Sequence, residues 1–225
     1  MITLYHHPLA SFCHKVLVAL YEAGLPFEGR IMDLGNPEHR AELNALWPVG
    51  KFPLLRDDER GLTVPESTII IEYLCRHFPS AAELLPGDAE TRLDVRLWDR
   101  VFDAYVQVPM QKIVGDRLRP EGDHDPHGVA DARDTLQTAY AMLERQLAKG
   151  TWAVGERFTL ADCAAAPALF YAAIVEPFAS PHAHLAAYFD RLMDRPSVRR
   201  TLDEARPYFP LFPFRESIPA RFLGA

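Results

Sequence analysis

The hydrophobic periodicity of this chain changes once, near residue 80, and that change limits the folds open to it. Before it, short β-patterned runs alternate with helical ones; after it, every periodic segment is helical. Ile2-Thr3-Leu4-Tyr5 and residues 27–33 predict strands on either side of a helix whose Val16, Leu20 and Ala23 share one face, with Gly24 and Pro26 ending it. A helix over about 37–46 opens at Pro37 and stops before Pro48. Strands near 53–56 and 62–64 flank the polar turn Asp57-Asp58-Glu59-Arg60-Gly61, the pattern of a hairpin. A third helix, with Ile69, Ile70, Tyr73 and Leu74 on one face, ends at Phe78-Pro79. These elements make a βαβ-ββα unit.

Residues 79–88 break all periodicity and predict a linker between a domain at 1–78 and an all-helical domain at 89–225. The first helix of the second domain carries two apolar stripes, Leu93-Leu97-Val101 and Trp98-Phe102-Tyr105, so two of its faces need covering. Pro109 should kink it. Further helices are expected at about 127–149, from 160 to Pro177, and at 183–194 and 197–205. The run from Arg206 to Phe214 is too apolar for a free tail and is expected to pack back over the helices. The fold class is thus α/β plus all-α, and with 48% apolar residues each part has material for a core.

Charge excludes some functions. Residues 1–78 carry 7 basic and 10 acidic side chains and the remainder 17 and 21, so neither part offers a basic stripe for nucleic acid. No run approaches the roughly 20 apolar residues of a membrane span, and the opening Met-Ile-Thr-Leu-Tyr lacks a leader pattern. The expected compartment is the cytoplasm. Cys13, Cys75 and Cys163 are odd in number and far apart, which argues against disulfides, and no histidine has partners at metal-ligand spacing, so no metal is expected.

Two motifs carry chemistry. Val64-Pro65-Glu66-Ser67 sets an acid and a hydroxyl at the first turn of an apolar helix, where free N–H groups and the positive dipole end can receive a carboxylate; the same residues could instead cap the helix. Gly50-Lys51-Phe52-Pro53-Leu54 puts a proline at the start of a strand. A trans bond there marks a sheet edge. A cis bond would turn the Phe52 backbone outward, toward a peptide lying as an added strand.

At this order and spacing the motifs resemble the cytosolic glutathione transferase family, and the resemblance covers nearly the whole chain, including the switch to an all-helical second domain. It implies a thioredoxin-like first domain, glutathione as co-substrate, and a transferase that directs the glutathione thiolate at an apolar electrophile. By the same resemblance Glu66 and Ser67 hold the γ-glutamyl end, the Phe52 backbone beside cis-Pro53 pairs with the cysteinyl backbone, and Lys51, with His39, lies near the glycyl carboxylate. A homodimer joined through the long helices is also implied. Alternatives on the same scaffold are a non-catalytic glutathione- or protein-binding member, or a glutathione-dependent isomerase, dehalogenase or peroxidase.

Thiolate activation belongs to the end of the first strand, His6-His7-Pro8-Leu9-Ala10-Ser11-Phe12-Cys13-His14. The serine or cysteine that many family members use falls at Ala10, so Ser11, one place later, is the catalytic candidate; it could equally be the N-cap of the first helix. With Ala10 in place of the first cysteine of a Cys-x-x-Cys pair ending at Cys13, dithiol chemistry is disfavoured. Tyr5 belongs to the strand, and His6, His7 and His14 either tune the thiolate or face solvent and the domain interface. Leu9, Phe12, Phe102, Tyr105, Val106 and Met110 are the candidates to line the electrophile pocket. Thr159 and Asp162 have capping-box spacing, with Phe158 and Cys163 as a staple, a structural device whose loss should cost about 1 kcal/mol or more.

Overall fold

In the computed structural model, which describes residues 1–224, four strands form one mixed sheet in the order β2-β1-β3-β4. β1 (Ile2–His6) and β2 (Glu28–Ile31) are parallel, so the chain must cross over between them, and α1 (Ser11–Glu22) is that crossover. β3 (Leu54–Asp57) pairs antiparallel with β1, Leu55 opposite Leu4, and β4 (Leu62–Pro65) pairs antiparallel with β3, Val64 opposite Leu55. Alternation along β1 places Ile2 and Leu4 in the core with Val16 and Leu20 of α1. β2 is shorter than the expected 27–33 because it is an edge strand with every residue exposed.

α2 (Pro37–Leu46) starts where the Asn36 side chain accepts the Glu38 N–H and Pro37 fills the first helical position; it shields a small cluster of Met32, Leu43 and Leu54. α3 (Ser67–His77) follows β4 directly. Sheet and helices together are a thioredoxin-like unit.

Pro79–Leu84, expected as irregular linker, forms a 3₁₀ helix that buries Ala81 and Leu84. All later elements are helical: α4 (Ala89–Val101), α5 (Val108–Arg117), α6 (Pro126–Leu147), α7 (Leu160–Val175), α8 (Ala183–Asp194) and α9 (Pro196–Ala205). Between α4 and α5 the chain widens into a π-helical stretch, Phe102–Gln107. Pro109, the site of the expected kink, falls in the first turn of α5 just after this widening, which accommodates the ring and the missing N–H.

α7 is the central strut. Its alanine-rich sequence lets neighbours approach closely, every residue but Ala173 is buried, and α1, α4 and the π-helical stretch all pack against it. Asp162 anchors its start by accepting the Thr159 N–H (2.8 Å), the Thr159 hydroxyl (3.1 Å), the Ala153 N–H (2.9 Å) and the Tyr188 hydroxyl (2.6 Å). The expected capping box is therefore one part of a larger buried junction. One continuous apolar core runs from Leu4 and Val16 through Leu169 and Phe170 to Leu202. The tail folds back as expected, with Phe209 stacked on Phe170 and Phe212 tilted against Tyr171. Among the described residues no helix is long and apolar enough to cross a membrane, and no cluster of three or more potential metal ligands occurs.

Candidate functional site

The start of α3 opens on a cavity of about 540 Å³ between the sheet-bearing half and α4 with its π-helical extension. Trp47, Lys51, Phe52 and Pro53 line one side; Pro65, Glu66, Ser67, Thr68 and Ile69 form the end; Arg100, Asp103, Ala104 and Val108, with Phe12 of α1, close the other side.

Two backbone features shape it. The Phe52–Pro53 peptide bond is cis, and Glu66 has φ +67°, the one non-glycine residue among those described with a positive φ. A side-chain-bearing residue in that region costs on the order of 1–3 kcal/mol and persists only where its surroundings over-determine it. Glu66 is the N-cap of α3, yet its side chain makes no capping bond and is exposed, while its carbonyl accepts the Ile70 N–H at 2.8 Å. The capping reading of Glu66 is therefore not realised, and the positive end of α3 stands open to the cavity with the buried Ser67 at its first position. Lys51 and Arg100 add positive charge; Glu66 and Asp103 add negative charge. The site suits a ligand that carries both signs. Asp103 is buried beside Lys15, at 2.8 Å; burial raises its carboxyl pKa and the Lys15 ammonium opposes the rise.

Of the residues singled out in the sequence, the structure brings Phe12, Lys51, Phe52, Pro53, Glu66 and Ser67 together around this cavity. Others lie elsewhere. Phe102, Val106 and Met110, expected at a pocket, are instead buried in the core, Phe102 stacked on Tyr188; Tyr105 faces outward; Leu9 packs on the edge of the core. At helical spacing Phe102, Val106 and Met110 continue the face that Val95 and Asp99 of α4 bury, and this face packs against α7. His39, in the first turn of α2, accepts the Asp33 N–H at 3.1 Å and does not line the cavity.

Ser11 is the first residue of α1 and is buried; Ala10 is the N-cap and has no side chain to cap with. The Ser11 hydroxyl accepts a hydrogen bond from Gln107 of the π-helical stretch, with Gln111 at 3.5 Å. His7 accepts the Leu9 N–H on Nδ1 (3.2 Å) and lies between Phe52 (ring centroids 6.1 Å) and Tyr208 of the tail (5.8 Å). His14 donates from Nε2 to the Pro8 carbonyl (2.5 Å), and burial pushes its pKa down to about 4. Cys13 is buried, and burial pushes its thiol up to about 12, so it is no nucleophile. Sequence reasoning missed Trp47, Thr68, Arg100, Asp103, Ala104 and Val108 at the cavity. A charged or hydroxyl side chain inside an otherwise apolar helical pattern, as at Asp99 and Asp103, was the available signal.

Comparison with known proteins agrees with this architecture. Residues 4–82 match the family model for the glutathione S-transferase N-terminal domain, and residues 106–196 match the model for its C-terminal domain. The chain belongs to the glutathione S-transferase family. It is similar to glutathione S-transferase GstB of Escherichia coli, 28% identical over 207 residues, covering 90% of this chain and 98% of the relative. A solved glutathione S-transferase from Methylobacillus flagellatus with glutathione bound is 27% identical, superposes with a TM-score of 0.81, and is covered over 89% of this chain and 98% of its own. One from Methylobacterium radiotolerans, in complex with glutathione sulfonate, is 28% identical with a TM-score of 0.76, covering 89% and 93% of the two chains.

Proposed function

We propose that this protein is a glutathione transferase, holding glutathione in the cavity at the start of α3 and directing its thiolate at an apolar electrophile. The observation that carries this reading is the uncapped start of α3, with Glu66 at φ +67°, sharing one cavity with the cis Phe52–Pro53 bond. In this reading the Glu66 carboxylate takes the γ-glutamyl ammonium, and Ser67 with the first N–H groups of α3 takes its carboxylate. The Phe52 main chain pairs with the cysteinyl unit, and Lys51 neutralises the glycyl carboxylate. Residues 1–78 supply most of the ligand contacts, with 89–225 closing the site beyond the 79–88 connection. The placement of His39 against Asp33 gives it no part in this scheme.

A thiol near pKa 8.5 is only a few per cent ionised at pH 7, and lowering it by two units takes about 2.7 kcal/mol of preferential thiolate stabilisation. The uncapped N-terminus of α1 supplies free main-chain N–H groups and a favourable dipole. In this reading Ser11 adds a hydroxyl donor: its oxygen accepts from the Gln107 amide and its own hydrogen is kept for sulfur, although Ser11 is buried and is not among the residues that line the cavity. Burial of Ser11 and the alanine at position 10 favour, as a second reading, a member that binds glutathione without turnover.

Leu93 (61% exposed) and Leu97 (53%), one turn apart on α4, leave an apolar strip uncovered, which in this reading meets a second copy of the chain. Three free cysteines fit a reducing cytoplasm.

Calorimetry with glutathione and with an S-alkyl glutathione tests binding: saturable heat is expected with both, and its absence with both would overturn the reading. Turnover of a generic aryl halide with glutathione separates the transferase from the binder.

A further inference from the structure

Lys15 lies within the apolar run of α1, yet its side chain, only 1% exposed, is paired with carboxylates. Its ammonium stands 2.6 Å from Asp99 Oδ1 of α4, 2.8 Å from Asp103 Oδ2, and donates to the Thr68 hydroxyl at 2.8 Å. It donates hydrogen bonds to Thr68 and Asp103 and holds Asp99 as an ion pair, so three different elements converge on one cation. Thr68 in turn donates to Asp99 Oδ2 at 2.8 Å. It is the second residue of α3, two positions after Glu66, the residue held at φ +67°.

Buried ion clusters are weak stabilisers compared with apolar packing, because desolvation offsets most of their attraction; their best-attested use is to fix one register among several. Here the element whose register is fixed is the start of α3. A positive φ on a residue with a side chain persists only when its neighbours over-determine it. On the α3 side of Glu66, the Thr68 hydroxyl is a clamp that reaches across to the helical half.

We propose that Lys15 is a positioning residue for the ligand turn: with Asp99 and Asp103 it holds Thr68, and through Thr68 it keeps Glu66 and Ser67 in the conformation that opens the α3 N-terminus to the cavity. The link to glutathione rests on the function proposed above; the link to the turn does not.

Thr68→Val keeps the size of the side chain and all three charges but removes the bridging hydroxyl, and Lys15→Met removes the cation. Amide hydrogen exchange on the full-length protein reads the turn directly, because the Ile70 N–H donates to the Glu66 carbonyl at 2.8 Å. In Thr68→Val, exchange at Ile70 is expected to quicken at least tenfold while Leu74, later in α3, and Leu169, in α7, keep wild-type rates. Lys15→Met should do the same; should it fail to fold, Thr68→Val decides. Unchanged exchange at Ile70, or equal acceleration at all three amides, would overturn the proposal. Calorimetry adds the ligand: the Kd for glutathione is expected to rise at least tenfold in Thr68→Val, and an unchanged Kd would overturn the role in binding. Wild-type protein that gives no heat with glutathione counts against the proposed function, while the exchange result still decides the positioning role.

Discussion

Gln107 donates its side-chain amide to the Ser11 hydroxyl, and four residues earlier Asp103 receives Lys15, which stands four residues after Ser11. The two pairs run antiparallel and tie α1 to the π-helical stretch side chain to side chain, while both elements pack against α7.

For the transferase reading, Ser11→Ala removes the hydroxyl proposed to serve the thiolate. The expected result is a fall in kcat/KM for an aryl halide of about 10²-fold, the usual scale for losing one preorganised donor. The pKa of the bound thiol, followed by thiolate absorbance, should rise in parallel. Gln107→Leu should give a smaller fall in the same direction, because Ser11 keeps its proton but loses its orientation. Unchanged rates in Ser11→Ala would remove it from the mechanism.

Stability should fall in mild acid. His14 is buried and neutral, with its pKa near 4 in the folded chain against 6.5 unperturbed; burial is the main cause and the Pro8 carbonyl partly opposes it. Between those values the unfolded chain takes up a proton that the folded chain refuses, so stability is lost as pH drops from about 6.5 through about 4, by on the order of 3 kcal/mol from this residue. His6 and His7 are shifted down as well, chiefly by burial, and act in the same direction. Urea unfolding midpoints across this window test it: the wild-type midpoint should fall more steeply than that of His14→Asn.

Asp162→Ala should destabilise by about 3 kcal/mol, because it leaves buried donors at Thr159, Ala153 and Tyr188 without an acceptor. Asp162→Asn should recover only part of this, since its amide hydrogens would face donors. Chemical denaturation provides the measurement, and an unchanged midpoint for Asp162→Ala would refute the assignment.

If the exposed strip on α4 joins two copies, Leu97→Asp should shift the sedimentation profile from dimer toward monomer with little change in helix content by circular dichroism. A wild-type monomer would remove the dimer from the proposed function.

Element order was legible because proline, glycine and hydrophobic period act locally: Pro37 opens α2, Gly24 follows α1, and Pro48 comes just beyond α2. Glu66 and Ser67 were legible for the same reason, since the start of a helix is a local property. Lys15 was not. Its carboxylate partner Asp103 lies 88 residues away, and no spacing within α1 announces it. The faces of α4 went astray for another reason. Phe102, Val106 and Met110 share one helical face with Val95 and Asp99, and that face is core. An aromatic or apolar stripe fills a core or lines a pocket with equal ease, and only the packing against α7 decides which.

The polar pairs on α1 also bear on how such chains can be recombined. Grafting residues 1–78 onto the helical half of a relative 28% identical would carry Ser11, Lys15 and Thr68 into the hybrid but leave Asp99, Asp103 and Gln107 behind. Wherever the recipient lacks acceptors at those places, the hybrid would bury an uncompensated ammonium against α7 and α4. The two halves are therefore expected to be inherited, or exchanged by design, as a matched pair.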